Sequence, residues 1–247
     1  MLAIIGGSGL YGLDEQFVAE RQAARETPYG ATSADIVQGC WQDLPVAFLP
    51  RHGPDHDVPP HRINYRANIW ALREIGASHI IAVNAVGGIA AELAPRALAV
   101  PDQIIDYTSG REHTFCDGGD QQVRHVDFTW PYDAQLRSSL LEAGRQLGVP
   151  LVGSGTYGCS NGPRLETAAE IARMRNDGCA MVGMTGMPEA ALARELEIAY
   201  AGLALVVNWA AGIEQREITM EEIYGNLEQG MQQVKPLLRA TAARVAQ

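Results

Sequence analysis

Three short apolar runs near the start of the chain each lead into a segment of small or anion-friendly residues. Leu2-Ala3-Ile4-Ile5 runs into Gly6-Gly7-Ser8-Gly9, Val46-Ala47-Phe48-Leu49-Pro50 into Arg51-His52-Gly53, and Ile80-Ile81-Ala82-Val83 into Asn84-Ala85-Val86-Gly87-Gly88. Runs this short and this apolar suit strands buried on both faces, the pattern of a mostly parallel sheet covered by helices. Each run reads as breaking into a turn at its carboxyl end, the edge at which open α/β sheets bind ligands. Glycines there let backbone N–H groups approach an anion, Ser8 adds a hydroxyl donor and Arg51 a forked cation suited to phosphate. Taken singly, each segment is equally an ordinary tight turn or surface pair. Together they predict a pocket for one small anion, with inorganic phosphate the best fit.

The glycine loop is neither of the two common nucleotide-binding motifs. Gly7-Ser8-Gly9 is followed by Leu10, Tyr11 and Gly12, so the third glycine of the dinucleotide motif is missing, and no Gly-Lys-Ser/Thr occurs. Apolar runs alternate with helical patterns along the rest of the chain. Strands are expected at 2–5, 35–39, 45–49, 79–84, 103–107, 152–158, 180–183 and 199–207, and helices at 64–75, 133–146, 167–176, 188–196 and 220–245. Thr219 should cap the last helix, with Glu221 and Glu222 in its first turn, and Pro236 should kink it. This order predicts a single α/β domain over 1–247, a central mixed, mostly parallel sheet flanked by helices. Residues 109–131 carry little pattern, and a stretch that long suggests a lid or an interface arm.

Net charge and cysteine usage narrow the function classes. With 19 basic and 29 acidic residues the chain carries −10, and Lys235 is its only lysine, which argues against nucleic acid and anionic membranes as partners. No apolar stretch is long enough to span a bilayer, and Met1 leads into a strand without the basic start of a signal peptide. Cys40, Cys116, Cys159 and Cys179 are widely spaced and read as reduced core or near-core thiols of a cytoplasmic protein. His52, His56 and His61 crowd one loop with Asp55 and Asp57; a polar loop beside the anion site accounts for them better than a metal cluster.

Two further segments look chemical. Asn161-Gly162-Pro163-Arg164-Leu165-Glu166-Thr167 joins a strand to a helix, and Val207-Asn208-Trp209-Ala210 ends the strand that begins at Ala201. Glu166 serves equally as a carboxylate at a helix start, and Asn208 equally as a turn residue. Met184-Thr185-Gly186-Met187-Pro188-Glu189 reads as a loop feeding a helix through Pro188.

With these segments in hand the chain resembles the trimeric branch of the purine nucleoside phosphorylases, and within it the methylthioadenosine phosphorylase subfamily. The likeness rests on Ile4-Ile5-Gly6-Gly7-Ser8-Gly9-Leu10, Arg51-His52-Gly53, Asn64-Tyr65-Arg66-Ala67-Asn68-Ile69, Gly162-Pro163-Arg164, and Met184-Thr185 with Pro188-Glu189, and runs nearly end to end. It implies one α/β domain assembled as a homotrimer, and phosphorolysis of a nucleoside to free base and sugar 1-phosphate. It also implies no metal and no organic cofactor, phosphate being a co-substrate. By matching position it assigns phosphate to Ser8, Arg51, His52, the backbone of Ala85, and Thr185, and lays Met184 against the ribose. His125, with Phe128 or Trp130 near it, would reach the 5′ region of a neighbouring subunit's site.

The chain departs from that subfamily where the base should sit. Enzymes that cleave methylthioadenosine carry aspartates at the positions of Asn208 and Ala210, and a serine at that of Glu166. A 6-amino group donates and suits a carboxylate, whereas a 6-oxo group accepts and suits the Asn208 amide. Glu166, as in the 6-oxopurine phosphorylases, would accept the ring N–H, which makes Asn208 and Glu166 the residues that stabilise the leaving base. At the sugar end, Ile218, Met220 and Ile223 stand in a stretch with no histidine to meet a 5′-hydroxyl; they form either an apolar lining for a methylthio group or the core face of the last helix. The two ends combined predict 5′-methylthioinosine as substrate. Methylthioadenosine phosphorylase, inosine/guanosine phosphorylase and a non-catalytic nucleotide-binding module are the alternatives.

Overall fold

The computed structural model of the chain describes residues 1–23, 26–118 and 123–246. Its strands are β1 (Leu2–Gly6), β2 (Phe17–Ala23), β3 (Glu26–Thr27), β4 (Gly30–Ala31), β5 (Ile36–Trp41), β6 (Leu44–Pro50), β7 (His79–Gly88), β8 (Leu98–Ala99), β9 (Gln103–Asp106), β10 (Leu151–Val152), β11 (Thr156–Cys159), β12 (Cys179–Gly183) and β13 (Ala199–Trp209). The helices are α1 (Tyr65–Glu74), α2 (Ala134–Leu147), α3 (Ala168–Asn176), α4 (Gly186–Glu195) and α5 (Met220–Val245). All strands except the β3–β4 hairpin join one mixed sheet of eleven, whose path runs β10-β8-β13-β7-β1-β6-β5-β2. Its centre is parallel, β1 lying between β6 and β7, and β7 between β1 and β13. The expected α/β architecture therefore holds.

The longest strands open the sheet at the site. β7 pairs with β1 only over His79–Ala82, yet it continues beside β13 through Gly88. On its far half it pairs instead with β12, antiparallel, at Gly87 and Gly88. The tips of β1 and β12 thus diverge from one neighbour, and the space between them is the start of a cavity. This corrects the expected turn at Asn84–Gly88: the segment stays in the strand. A Cβ on Gly88 would meet the Leu93 carbonyl oxygen at 1.9 Å, so glycine there permits close packing rather than a turn.

Other boundaries also shift. The strand expected at 152–158 divides into β10 and β11 around Gly153-Ser154-Gly155, with Gly155 at φ 130°. β13 extends to Trp209, and a bulge lies between Val206 and Asn208. β2, β3, β4 and β8 were not anticipated, because they are polar edge strands or two residues long and carry little apolar periodicity. α5 runs unbroken through Pro236, where a kink was expected. Two apolar layers cover the sheet. One packs α1 and α4 residues such as Ile69, Leu72 and Leu192 on one face, and the other packs Leu140 of α2 with Leu227, Val234 and Leu238 of α5 on the opposite face. Residues 119–122 of the patternless stretch lie outside the described residues.

Candidate active site

A cavity of about 420 Å³ opens at the carboxyl ends of β1, β6, β7 and β13. It is lined by Ser8, Arg51, His52, Ala85, Met184, Thr185, Glu166, Asn208, Ile218, Met220 and Ile223. Residues drawn from both halves of the chain therefore meet in one place, as expected. His125 does not line it; in its own chain this residue is exposed.

The end of the cavity expected to hold the anion is built from buried, pre-paired groups. The Gly7 backbone lies against the guanidinium: a Cβ there would stand 2.8 Å from Arg51 Nη1 and 2.5 Å from the Val83 carbonyl oxygen. Arg51 is fully buried, and its Nε and Nη2 donate to Glu189 at 3.1 and 3.0 Å while Nη1 donates to the Val83 carbonyl at 2.7 Å. Three of its five N–H groups are thus engaged, leaving one on each terminal nitrogen. Burial opposes the guanidinium charge, but Glu189 outweighs it and carries the Arg51 pKa above the ordinary value. Glu189 is itself fully buried and also accepts from the Tyr200 hydroxyl at 2.8 Å.

Two more anion-end groups are oriented by neighbours. Asn84 Nδ2 donates to Thr185 Oγ1 at 2.9 Å, which leaves the threonine proton free to point elsewhere. His52 Nδ1 lies 2.9 Å from the Val58 carbonyl, and a carbonyl only accepts, so Nδ1 carries the proton. Burial, then the Arg51 charge, holds the His52 pKa down at about 4, so the ring is neutral at pH 7 and its Nε2 is an acceptor. Ser8 Oγ sits 3.4 Å from His56 Nε2, joining the glycine loop to the histidine loop. Among the described residues no three His, Cys, Asp or Glu side chains are grouped so as to hold a metal ion, so the histidine loop forms no ligand set.

Glu166 keeps features of both its readings, standing just before α3 and bordering the cavity. Thr167, not Glu166, caps α3, and Thr167 with Glu170 forms a reciprocal capping box. The Glu166 carboxylate instead accepts from Ser160 Oγ and faces the cavity. Asn208 follows the bulge in β13, a device that re-aims a side chain without ending the strand, so its reading as a turn residue is replaced. It is 6% exposed, and its Nδ2 donates to the Trp209 carbonyl at 2.7 Å, with the second N–H and Oδ1 remaining. Thr219 caps α5 as expected. Ile218, Met220 and Ile223 flank that cap and line the cavity; Ile223 also packs against the core layer under α5, whose fully buried residues start at Leu227.

The sequence reading missed Glu189, Tyr200 and Asn84 as supports of the anion end. Only the Met-Pro-Glu run and the Asn84 segment hinted at two of them, and nothing local pointed to Tyr200. Cys159 is buried, and burial pushes its thiol up to about 12, so it is no nucleophile at neutral pH. Among the described residues no disulfide forms, and no helix is long and apolar enough to cross a membrane.

Comparison with known proteins gives a consistent picture. Residues 1–243 match the phosphorylase superfamily. A probable S-methyl-5′-thioinosine phosphorylase of Xanthomonas campestris is 54% identical over 228 residues, 92% of this chain and 91% of that protein. A 6-oxopurine nucleoside phosphorylase of Pyrococcus furiosus is 47% identical over 246 residues, 97% of this chain and 91% of that protein. Methylthioadenosine phosphorylase from Schistosoma mansoni in complex with adenine superimposes with a TM-score of 0.94 at 30% identity, covering 99% of this chain and 91% of that one.

Proposed function

The chain belongs to the phosphorylase superfamily, and from that premise we propose that it cleaves S-methyl-5′-thioinosine with inorganic phosphate to hypoxanthine and 5-methylthioribose 1-phosphate. It is then a pentosyltransferase of purine salvage. The observation that carries the substrate is the pairing, in one cavity, of the Asn208 amide and the Glu166 carboxylate with the apolar trio Ile218, Met220 and Ile223. An amide N–H donates to a 6-oxo group and a carboxylate accepts from the adjacent ring N–H, whereas a 6-amino group would meet a donor with a donor. The apolar trio suits a thioether better than a hydroxyl, which would lose its hydrogen bonds there. The relatives from Xanthomonas campestris and Pyrococcus furiosus, named for methylthioinosine and 6-oxopurine nucleosides, support both halves.

In this reading phosphate lies among Ser8, Arg51, His52, the Ala85 backbone and Thr185. Ser8 and Thr185 donate hydroxyl protons, and Arg51 donates its remaining N–H groups. Neutral His52 accepts through Nε2, which a monohydrogen phosphate satisfies with its own P–OH. The glycosidic bond breaks first. Its electron pair leaves with the purine, where Asn208 and Glu166 stabilise the charge. The ribosyl cation forms against Met184 and is captured by a phosphate oxygen at the anomeric carbon. No metal or organic cofactor enters the scheme. We further take the enzyme as a cytoplasmic homotrimer in which His125 completes a neighbour's 5′ subsite. The exposure of His125 and of Trp130, 66% exposed, supports this.

A panel of methylthioinosine, methylthioadenosine, inosine, guanosine and adenosine, each with and without phosphate, tests the reading. Phosphate-dependent hypoxanthine release should be fastest from methylthioinosine. Faster adenine release from methylthioadenosine overturns the substrate, and phosphate-independent behaviour throughout overturns the reaction.

A further inference from the structure

We infer that Glu189 offsets the charge of Arg51, so that a bound phosphate keeps its own negative charge available to the developing ribosyl cation; the inference rests on the phosphorolytic reading above. Arg51 is the cation of the anion end, yet it meets the cavity as half of a buried ion pair. Both partners are fully buried, and the carboxylate holds the guanidinium through two parallel hydrogen bonds. The pair is neutral before phosphate arrives. Tyr200, buried and stacked on Tyr132 with ring centroids 6.1 Å apart, donates a third hydrogen bond to the same carboxylate.

An unpaired arginine would bind phosphate more tightly in the ground state, but it would also neutralise the charge that the cation needs. Binding that is equal in ground and transition states does not raise kcat; an interaction that grows as the cation forms does. A neutralised Arg51 holds the phosphate in place and leaves its field directed at the sugar. Glu189 is accordingly a positioning residue, acting through Arg51. A purely packing role, tying α4 to the end of β6, predicts the opposite response to loss of its charge.

Glu189→Gln separates the two. Either orientation of the amide keeps its oxygen as an acceptor for one Arg51 nitrogen and sets its N–H against the other, while one negative charge beside the phosphate is removed. Calorimetry with inorganic phosphate on the full chain should show binding tightened by about threefold or more, because the lost repulsion outweighs one lost hydrogen bond. In parallel kcat should fall about tenfold while the nucleoside KM stays within about twofold. Unchanged or weaker phosphate binding in folded E189Q overturns the inference and leaves Glu189 as a packing contact. Should E189Q fail to fold, Tyr200→Phe decides. Removing the tyrosine proton lets the carboxylate act undiminished on Arg51, so phosphate binding should weaken about twofold to threefold; unchanged or tighter binding overturns the inference. If the wild-type chain does not bind phosphate, the phosphorolytic reading falls with it. If the wild type binds and the deciding variant fails as stated, only the present inference falls.

Discussion

At one end of the cavity Arg51, His52 and Thr185 are held by partners before any substrate arrives, whereas the apolar end is lined by Ile218 and by Met220 and Ile223 of the first turn of α5; Asn208, between them, stays on β13. Arg51, His52 and Thr185 are at most 8% exposed, and each is tied to Glu189, Val58 or Asn84. Met220 is 53% exposed and Leu165 41% exposed, although both border the same cavity. The contrast separates chemistry from selectivity. Groups that must meet an anion with fixed geometry sit on strand ends, where the sheet denies them other positions. The residues proposed to choose the 5′ substituent sit where a substitution changes little else.

If the contrast is sound, damage at the anion end should be severe and indifferent to the nucleoside. Arg51→Ala should lower kcat/KM about 10³-fold for every nucleoside tested. It should also destabilise the fold by about 3–5 kcal/mol, because Glu189 is left buried and uncompensated; steady-state kinetics and thermal melting check the two parts. In the base pocket, Asn208→Asp should lower stability, since it replaces the donor to the Trp209 carbonyl with a buried carboxylate, and should shift the methylthioinosine to methylthioadenosine ratio of kcat/KM by about 10²-fold toward the 6-amino substrate. An unchanged ratio in the purified variant would remove the base-pocket assignment.

Acid should find the anion end first. An unfolded histidine titrates near 6.5 and His52 at about 4, so between these values the unfolded chain binds more protons. The His52 contribution is complete above pH 6.5 and is lost as pH falls through 4, amounting to about 3 kcal/mol. Urea melts over that window should show the loss in the wild type and a smaller one in His52→Gln. The smallest effect is expected at the sulfur end. Ile223→Ser should reduce the preference for methylthioinosine over inosine about tenfold, with phosphate KM unchanged; a parallel loss on both substrates would return Ile223 to the core of α5.

Local pattern was enough to find most of the strand ends that line the cavity. Ser8, Arg51 and Asn208 could be placed at sheet edges because an apolar run that stops at small or polar residues marks such an edge whatever the topology, whereas Thr185 and Glu166 were assigned to the site only through the resemblance. The same patterns misjudged how those segments behave. Asn84–Gly88 has the composition of a turn but remains in β7, because β13 and β12 supply ladder partners that no local window contains. Glu166 stayed open for a similar reason: it stands just before α3, where Thr167 and Glu170 take the cap, and it also borders a cavity whose other walls no local window contains.

Composition and periodicity by themselves determined an α/β sheet with small, polar and cationic residues gathered at its carboxyl edge, while the expectation of a base pocket suited to an oxo group came only through the resemblance to nucleoside phosphorylases. Tertiary structure alone decided what holds the anion end together. Arg51 and Glu189 lie 138 residues apart, and Asn84 and Thr185 lie 101 apart. Such pairs exist only because β7 leaves β1 for β12 and α4 packs against the sheet, and burial makes the partner of Arg51 obligatory, since a lone charge in that interior is costly.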